Sequence, residues 1–393
     1  MKGPVVKKGR YNMSGRPTDH ANLNLTQFNL EVLRGQTGGK IIWQPRIGCW
    51  LDDKKFSGQR IPEPYTGLTL PEIYRSLGCS NRIYEFNSCF KEIEDEQVRI
   101  ITNELGNGRQ EIVIETPVGS QRAIYQRSVN SPYHITVKWP IESETEMQVA
   151  AWRSRHRKWR WDQQEYERLC GQWHGLGVPT MYMPRVNVQR LFIDEMGVER
   201  AIYALMDWTS TCQGYFEALS FEYDQLIDVI NASPIEVVNF GDNIHASTLS
   251  PAFFEKYVLP EYKRRCDRLH RADKFCHAHW DGHCAPLLRY ARETGLDGIE
   301  AITPKPQGDV VLEEIKEALG DMFLLDGIPA IYFDQMWDEQ VLIDCAKKCI
   351  DLFAPHLILG ISDEISSTGE IERIRTVGKI VDDYNARASS MPT

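Results

Sequence analysis

The chain has 393 residues, of which 42 % are hydrophobic and 25 % are charged, and its formal net charge is −10. This composition supplies a full hydrophobic core and excludes a disordered protein. The negative charge disfavours partners such as nucleic acid or an anionic membrane surface, and no apolar run approaches the ~18 residues of a membrane span.

The ten cysteines are scattered, and no two of them form a Cys-x-x-Cys pair. The basic and polar stretch at 1–25 has no apolar core, so it does not read as a secretory signal. A large chain with these features is expected to keep its thiols reduced. We therefore predict a cytoplasmic protein.

The predicted elements divide the chain into an N-terminal arm and helix (1–39), a large α/β unit (40–385) and a short tail (386–393). Within the unit, residues at about 90–140 alternate apolar and polar positions around glycine turns. This alternation predicts an inserted antiparallel hairpin or meander.

Seven apolar segments predict buried strands, and helices separate most of them after residue 145. These segments are 40–48, 181–187, 236–241, 275–281, 297–302, 322–328 and 357–362. Strands that alternate with helices predict a parallel sheet. An eighth strand, expected within 200–230, would close a (β/α)8 TIM barrel, whose active residues lie at the carboxyl ends of the strands.

Polar residues do collect where the predicted strands end. They are Arg46, Asp242, Asn243, His245, Asp326, Asp363 and Glu364. We predict catalytic roles for Asp242, His245 and Asp363, with Asn243, Asp326 and Glu364 binding substrate. His245 could equally cap the following helix.

The segment "CHAHWDGH" at 276–283 carries the densest group of such side chains. Because side chains at alternate positions of a strand share a face, His277, His279 and Asp281 are predicted to project together. They are candidates for catalysis, with the open alternative that His277 only bonds inside the barrel.

The opening strand, "WQPRIGCW", adds candidate substrate-binding residues. Arg46 would pair with a carboxylate or phosphate of the substrate. Trp43 and Trp50 would provide aromatic walls for an aryl group, although Trp43 could simply fill the barrel.

Several motifs, in this order and spacing, resemble the uroporphyrinogen decarboxylase superfamily. They are "NLEVLRGQTGGKIIWQPRI", "GDNIHASTLSPAFFEKYVLPEYKRRCDRLH", "HWDGHCAPLLRYARETGLDGIEAITP", "LLDGIPA" and "LILGISDEISSTGEIERIRTVGKIVDDY". The family fold is a TIM barrel. The opening strand has one arginine where true decarboxylases carry a two-arginine signature, so the resemblance favours the corrinoid-dependent methyltransferase branch.

That resemblance implies a methyltransferase that demethylates a methoxylated small molecule, an aryl or alkyl methyl ether, and passes the methyl group to a corrinoid protein. It implies zinc as a Lewis acid, with His279, Asp281 and Asp363 as ligands in place of the Cys-rich set of the thiol-methylating enzymes. The chain itself would be a monomer or homodimer.

Three alternatives stay open at this point. The metal could be absent, with Asp242, His245 or Asp363 acting as the general acid. The protein could be a metal-independent decarboxylase or lyase of a small carboxylated or tetrapyrrole-like substrate. It could also be a non-catalytic barrel that carries a corrinoid or tetrapyrrole.

Overall fold

The computed structural model describes residues 24–389. In chain order its strands are β1 (Ile42–Trp43), β2 (Asn81–Ile83), β3 (Phe90–Ile93), β4 (Arg99–Gly106), β5 (Arg109–Thr116), β6 (Gly119–Arg127), β7 (His134–Lys138), β8 (Lys158–Trp161), β9 (Gly177–Met183), β10 (Val237–Ile244), β11 (Phe275–Trp280), β12 (Gly298–Glu300), β13 (Phe323–Pro329) and β14 (Leu357–Ser362).

The α-helices surround the strands. They are α1 (Leu25–Leu33), α2 (Gly48–Phe56), α3 (Leu70–Leu77), α4 (Glu144–His156), α5 (Gln163–Trp173), α6 (Asn187–Arg190), α7 (Val198–Asp207), α8 (Thr209–Ala232), α9 (Pro251–Phe253), α10 (Leu259–His270), α11 (Leu312–Leu319), α12 (Glu339–Phe353) and α13 (Arg373–Ala388). Short 3₁₀ and π segments follow several strands, and a longer 3₁₀ helix spans Ala285–Glu293 after β11.

Eight strands form one parallel sheet in the order β1-β14-β13-β12-β11-β10-β9-β2. The sheet curls so far that its two edges approach each other. At this point the backbone amide of Ser80, just before β2, donates to the carbonyl of Trp43 on β1 at 3.1 Å. In the interior, Arg82 of β2 forms ion pairs with residues of β12 and β13. The sheet is therefore consistent with a TIM-barrel-like fold.

Each predicted parallel strand overlaps an observed one, with three corrections. The strand predicted at 40–48 is confined to Ile42–Trp43, and α2 begins at Gly48. The strand predicted at 181–187 lies at Gly177–Met183, four residues earlier. The eighth strand was wrongly expected within 200–230, which is helical as α7 and α8. The eighth strand is instead β2, three residues long.

The segment between β2 and α5 contains α4 and two small antiparallel sheets. Strands β4 to β7 make a four-stranded sheet in sequence order, and β3 pairs with β8. The loop before β7 reaches back to the barrel, where the hydroxyl of Tyr133 lies 3.6 Å from Sγ of Cys49 in α2. The four-stranded sheet thus extends to the end of the barrel at which β1 finishes.

Burial follows the alternation expected of a barrel. Along β11, Cys276, Ala278 and Trp280 lie in the hydrophobic core between the sheet and the helices, whereas His277 and His279 face the polar interior. Among residues 24–389, no helix is long and apolar enough to cross a membrane.

Candidate active site

The interior of the parallel sheet is organised around the carboxylate of Glu300, the last residue of β12. It is fully buried. It pairs with Arg82 and accepts hydrogen bonds from Nδ1 of His279 at 2.8 Å, from Nδ2 of Asn239 at 2.9 Å and from the hydroxyl of Tyr84 at 3.3 Å. Four side chains, from three strands and one flanking turn, therefore meet at this carboxylate of a fourth strand.

Arg82 links Glu300 to a second buried acid. Its guanidinium pairs with the carboxylates of Glu300 and Asp326 through its two terminal nitrogens. Burial alone would raise the pKa of Glu300, but Arg82 and the neighbouring histidines hold that pKa well below its ordinary range. Burial raises the pKa of Asp326 to about 6 against the opposing effect of Arg82. One acid is therefore firmly ionised, and the other titrates closer to neutrality.

The two histidines of β11 differ in what they can do. His277 is fully buried, its Nδ1 lies 3.3 Å from Oε2 of Glu300, and burial lowers its pKa, so the ring is neutral at pH 7. His279 is 5 % exposed. Its Nδ1 donates to Glu300, and its Nε2 has no hydrogen-bond partner within residues 24–389. The hydrogen bond at Nδ1 thus holds the His279 ring in place, and Nε2 is left to contact a bound molecule.

Charged residues connect this interior to the rim of the sheet. Nη1 of Arg46, which follows β1, lies 3.9 Å from Glu300 and 3.7 Å from Asp363, and its Nη2 lies 3.3 Å from Glu364. Glu364 also accepts a 2.6 Å hydrogen bond from the backbone amide of Cys49. Arg46 therefore lies between the buried carboxylate and an exposed one, since the Asp363 side chain is 58 % exposed.

The backbone is unusual where these strands end. Four non-glycine residues with positive φ lie in or directly after β10, β12, β13 and β14: Asn243 (49°), Ala301 (65°), Asp326 (83°) and Asp363 (71°). Such conformations cost free energy and cluster at functional sites. Their concentration at the carboxyl ends of the parallel strands marks this end as the candidate active site, which we call the mouth.

A cavity of about 360 Å³ adjoins the carboxyl end of β9. Phe90, Trp159 and Tyr182 supply aromatic walls, and Arg185 adds a cation. Tyr182 packs edge-on against Tyr84, with ring centroids 5.1 Å apart. Because the Tyr84 hydroxyl also contacts Glu300, packed side chains link the wall of this cavity to the buried carboxylate.

Several predicted site residues lie elsewhere. Asp242 is fully buried, and its two oxygens accept hydrogen bonds from the Val186 amide (2.6 Å) and the Tyr262 hydroxyl (2.8 Å). Burial raises the pKa of Asp242. Because Tyr262 belongs to α10, this carboxylate joins the sheet to its outer helices instead of facing His279.

The two tryptophans are also core residues. Trp43 is 5 % exposed and donates from Nε1 to the carbonyl of Ile374 in α13 at 3.0 Å. Trp50 is 1 % exposed and donates to the carbonyl of Gly369 at 3.1 Å. Both indoles pack between the sheet and the helices, so this placement does not support the predicted role as walls of a substrate pocket.

The remaining candidates lie at the rim between β10 and β11. Asn243 accepts from Arg185 at 3.4 Å, and Nε2 of His245 lies 3.4 Å from the Thr248 hydroxyl in the following turn. Strand β11 ends at Trp280, so the alternation that places His277 and His279 together does not extend to Asp281. The amide of Asp281 instead bonds to Ile244 at 3.1 Å.

The expected zinc ligands are not brought together. Among residues 24–389, one set of three His, Cys, Asp or Glu side chains has ligand atoms within 4.8 Å of one another, and it contains none of His279, Asp281 and Asp363. Zinc requires at least three protein ligands in close tetrahedral geometry. The residues of the mouth therefore do not fit the zinc site that the resemblance implies.

Four residues of the network escaped prediction: Arg82, Tyr84, Asn239 and Glu300. A signal existed for Glu300, which is an acid flanked by apolar residues in the segment "GIEAI". An unpaired charge in a buried strand requires a partner. The sequence carries no sign that the partner is Arg82, 218 residues away.

Comparison with known proteins supports the fold. No family model and no curated protein matches the sequence. Among solved structures, the chain is similar to a methyltransferase from Methanosarcina mazei, with a TM-score of 0.51 and 13 % sequence identity over 92 % of this chain and 98 % of that one. At this identity the likeness extends to the fold alone.

Proposed function

We propose that this chain is an enzyme that transfers a methyl group from a methoxylated small molecule, an aryl or alkyl methyl ether, to the corrinoid of a partner protein. Two observations support the reaction class: the sequence motifs that resemble corrinoid-dependent methyltransferases, and a fold similar to that of a protein described as a methyltransferase. The contact that carries the proposal is the hydrogen bond between His279 and Glu300 at the mouth.

Ether cleavage needs help at the oxygen. The bond between the methyl carbon and oxygen breaks, the reduced corrinoid supplies the electron pair that forms the new bond to carbon, and the electrons of the broken bond stay on oxygen. An alkoxide or phenolate leaves readily only if its charge is neutralised. A proton delivered to this oxygen turns it into an alcohol or phenol.

His279 is the proton donor in this proposal. With Nδ1–H directed at Glu300, a protonated ring holds its second proton on Nε2, the nitrogen that has no partner among the described residues. The ionised Glu300 stabilises the charged ring and fixes its orientation, as a buried carboxylate does for a catalytic imidazole. Glu300 acts through His279 and is a positioning residue.

Other residues of the mouth would bind the substrate. Arg46 is held by acids at distances of 3.3 to 3.9 Å, so it can exchange one of them for an anionic group of the substrate. The aromatic cavity beside β9 suits an aryl methyl ether. No step requires a metal ion at the mouth, because its residues do not assemble a metal site.

A metal-independent decarboxylase is the second candidate. The observation that favours it is the pair of arginines, Arg46 and Arg82, beside Glu300 in the interior. Arginines of this kind can bind the carboxylates of a substrate. The two candidates differ in their products, a methylated corrinoid in one case and carbon dioxide in the other.

A single assay separates them. The full chain is mixed with a reduced corrinoid protein and a panel of aryl and alkyl methyl ethers, and methylation of the corrinoid is followed by its absorbance. A parallel series uses small carboxylic acids and records released carbon dioxide. Methylation of the corrinoid with at least one ether supports the methyl-transfer proposal. Release of carbon dioxide without methylation of the corrinoid supports the decarboxylase and overturns the methyl-transfer proposal.

A further inference from the structure

Three metal-capable side chains meet on the outer side of the sheet, away from the mouth. They are His270, the last residue of α10, Cys276 at the start of β11, and Asp297 just before β12, and their ligand atoms lie within 4.8 Å of one another. Cys276 points to the opposite face of β11 from His277 and His279. This cluster plays no part in the proposed methyl transfer.

Hydrogen bonds to the backbone and between the side chains already hold the cluster in place. Oδ2 of Asp297 accepts from Nε2 of His270 at 2.9 Å and from the amide of Cys276 at 2.7 Å, and the amide of Asp297 donates to the carbonyl of Cys276 at 2.8 Å. These bonds fix the three residues on two adjacent strands and the end of a helix. A preassembled set of donors reduces the conformational cost of binding an ion.

We propose that His270, Cys276 and Asp297 form a binding site for a divalent zinc-class cation. A thiolate, an imidazole and a carboxylate are the donors that zinc takes in proteins, whereas a thiolate is a poor ligand for magnesium or calcium. Bonds of about 2.0–2.3 Å in a tetrahedron separate the ligand atoms by about 3.3–3.8 Å. The ligand atoms lie within 4.8 Å of one another, and the hydrogen bond between His270 and Asp297 would be exchanged for bonds to the cation.

Two further features fit a cation at this place. Cys266 lies one helical turn before His270 on α10, and its buried thiol is beside that of Cys276, so a second soft donor is available for a fourth position. The side chains of His270 and Asp297 are 38 % and 34 % exposed, and Asp297 lines a surface groove of about 470 Å³. The cation therefore has a route from solvent to a partly buried site.

Bound zinc would change the thiol. Burial raises the pKa of Cys276 well above its ordinary range, and the neighbouring Cys266 raises it further, so without a cation the thiol is protonated. A coordinating cation binds the thiolate and releases the proton. The S–H hydrogen bond to the carbonyl of Lys274, long at 3.8 Å, would be lost at little cost.

The test uses the full chain, stripped of metal by a chelator and titrated with Zn²⁺ and with Co²⁺ as a spectroscopic probe. The wild type should bind about one cation per chain and show the charge-transfer absorption of a cobalt–thiolate bond. Cys276→Ala should weaken that absorption, and the double variant Cys266→Ala/Cys276→Ala should abolish it. His270→Gln should weaken zinc binding by at least about tenfold. In the matched controls His279→Gln and Cys349→Ala, the binding of Zn²⁺ and the cobalt–thiolate absorption should be the same as in the wild type, whatever their effect on methyl transfer.

The proposal fails if the wild type binds no stoichiometric cation, if the cobalt–thiolate absorption survives in the Cys266→Ala/Cys276→Ala double variant, or if His279→Gln abolishes metal binding. His270 is exposed, so His270→Gln keeps the test informative should Cys276→Ala fail to fold, as circular dichroism would show. Because the readout is metal binding, its outcome is independent of the methyl-transfer assay.

Discussion

His279 and Glu300 are register partners on adjacent parallel strands, and Nδ1 of His279 donates to Oε1 of Glu300 at 2.8 Å. Direct neighbours in a parallel sheet can maintain such a bond with little side-chain freedom. The same carboxylate pairs with Arg82 across the interior. Orientation of the imidazole is therefore built into the sheet itself.

Replacement of Glu300 by Gln should reduce kcat by about 10²-fold and change KM little, because the amide keeps the shape of the side chain but no longer stabilises a charged imidazole. Steady-state kinetics of corrinoid methylation would measure both parameters. A KM raised by about the same factor, with kcat unchanged, would show that Glu300 acts in substrate binding instead. Near-ultraviolet circular dichroism would verify that the variant is folded.

Arg82→Met should lower the free energy of unfolding by about 3–5 kcal/mol, because it leaves Glu300 and Asp326 buried without their shared cation. The matched control is Arg99→Met, which breaks an exposed pair with Glu115 whose charged groups are 3.7 Å apart. The free energy of unfolding should change little in Arg99→Met, because exposed ion pairs contribute little to stability. Denaturant titration of both variants makes the comparison, and equal effects would contradict a structural role for the buried pair.

Asp326 should make the stability of the protein depend on pH between about 4 and 6. Its pKa is raised by burial to about 6 in the folded chain and is about 3.9 in an unfolded one. In that window the folded state binds more protons, so the contribution of Asp326 to stability falls as pH rises. Asp326→Asn should remove this slope, whereas Asp363→Asn, at the exposed rim, should keep it. Denaturant titrations at several pH values would show whether the free energy of unfolding falls as pH rises from about 4 to 6.

Gly241, within β10, should not tolerate a side chain. A Cβ atom there would lie 1.8 Å from Cζ of Tyr182 and force that ring away from Tyr84. We expect Gly241→Ala to cost about 1–3 kcal/mol in stability and to reduce activity. Gly214→Ala in α8 meets nothing within 4 Å and should instead stabilise by about 0.5–1 kcal/mol. Thermal unfolding of the two variants provides a matched comparison.

Sequence patterns predicted the parallel sheet because most of its strands are apolar and are separated by clear helices. They missed β2, since "NRI" is three residues long and carries the polar side chains that line the interior. The same difficulty affected the site. His277 and His279 were recognisable from strand alternation, but the partner of their shared carboxylate lies far away in sequence.

Two acids that lie near a predicted strand end, and inside the observed strand, were harder to place. Asp242 and Asp326 both occur at predicted strand ends, yet one bonds to Tyr262 of an outer helix and the other to Arg82 inside the sheet. The positive φ of Asn243 and Asp326 turns the local chain away from regular alternation. Which face a side chain takes at such a position depends on tertiary packing, which periodicity does not encode.

The most direct test of the account compares wild type and His279→Gln on a series of methyl ethers whose leaving alcohols or phenols differ in acidity. If His279 gives a proton to the leaving oxygen, the variant should lose about 10²–10⁴-fold in rate with the least acidic leaving group and progressively less as acidity increases. A loss of equal size across the series, or no loss, would contradict the assignment of His279 as the proton donor.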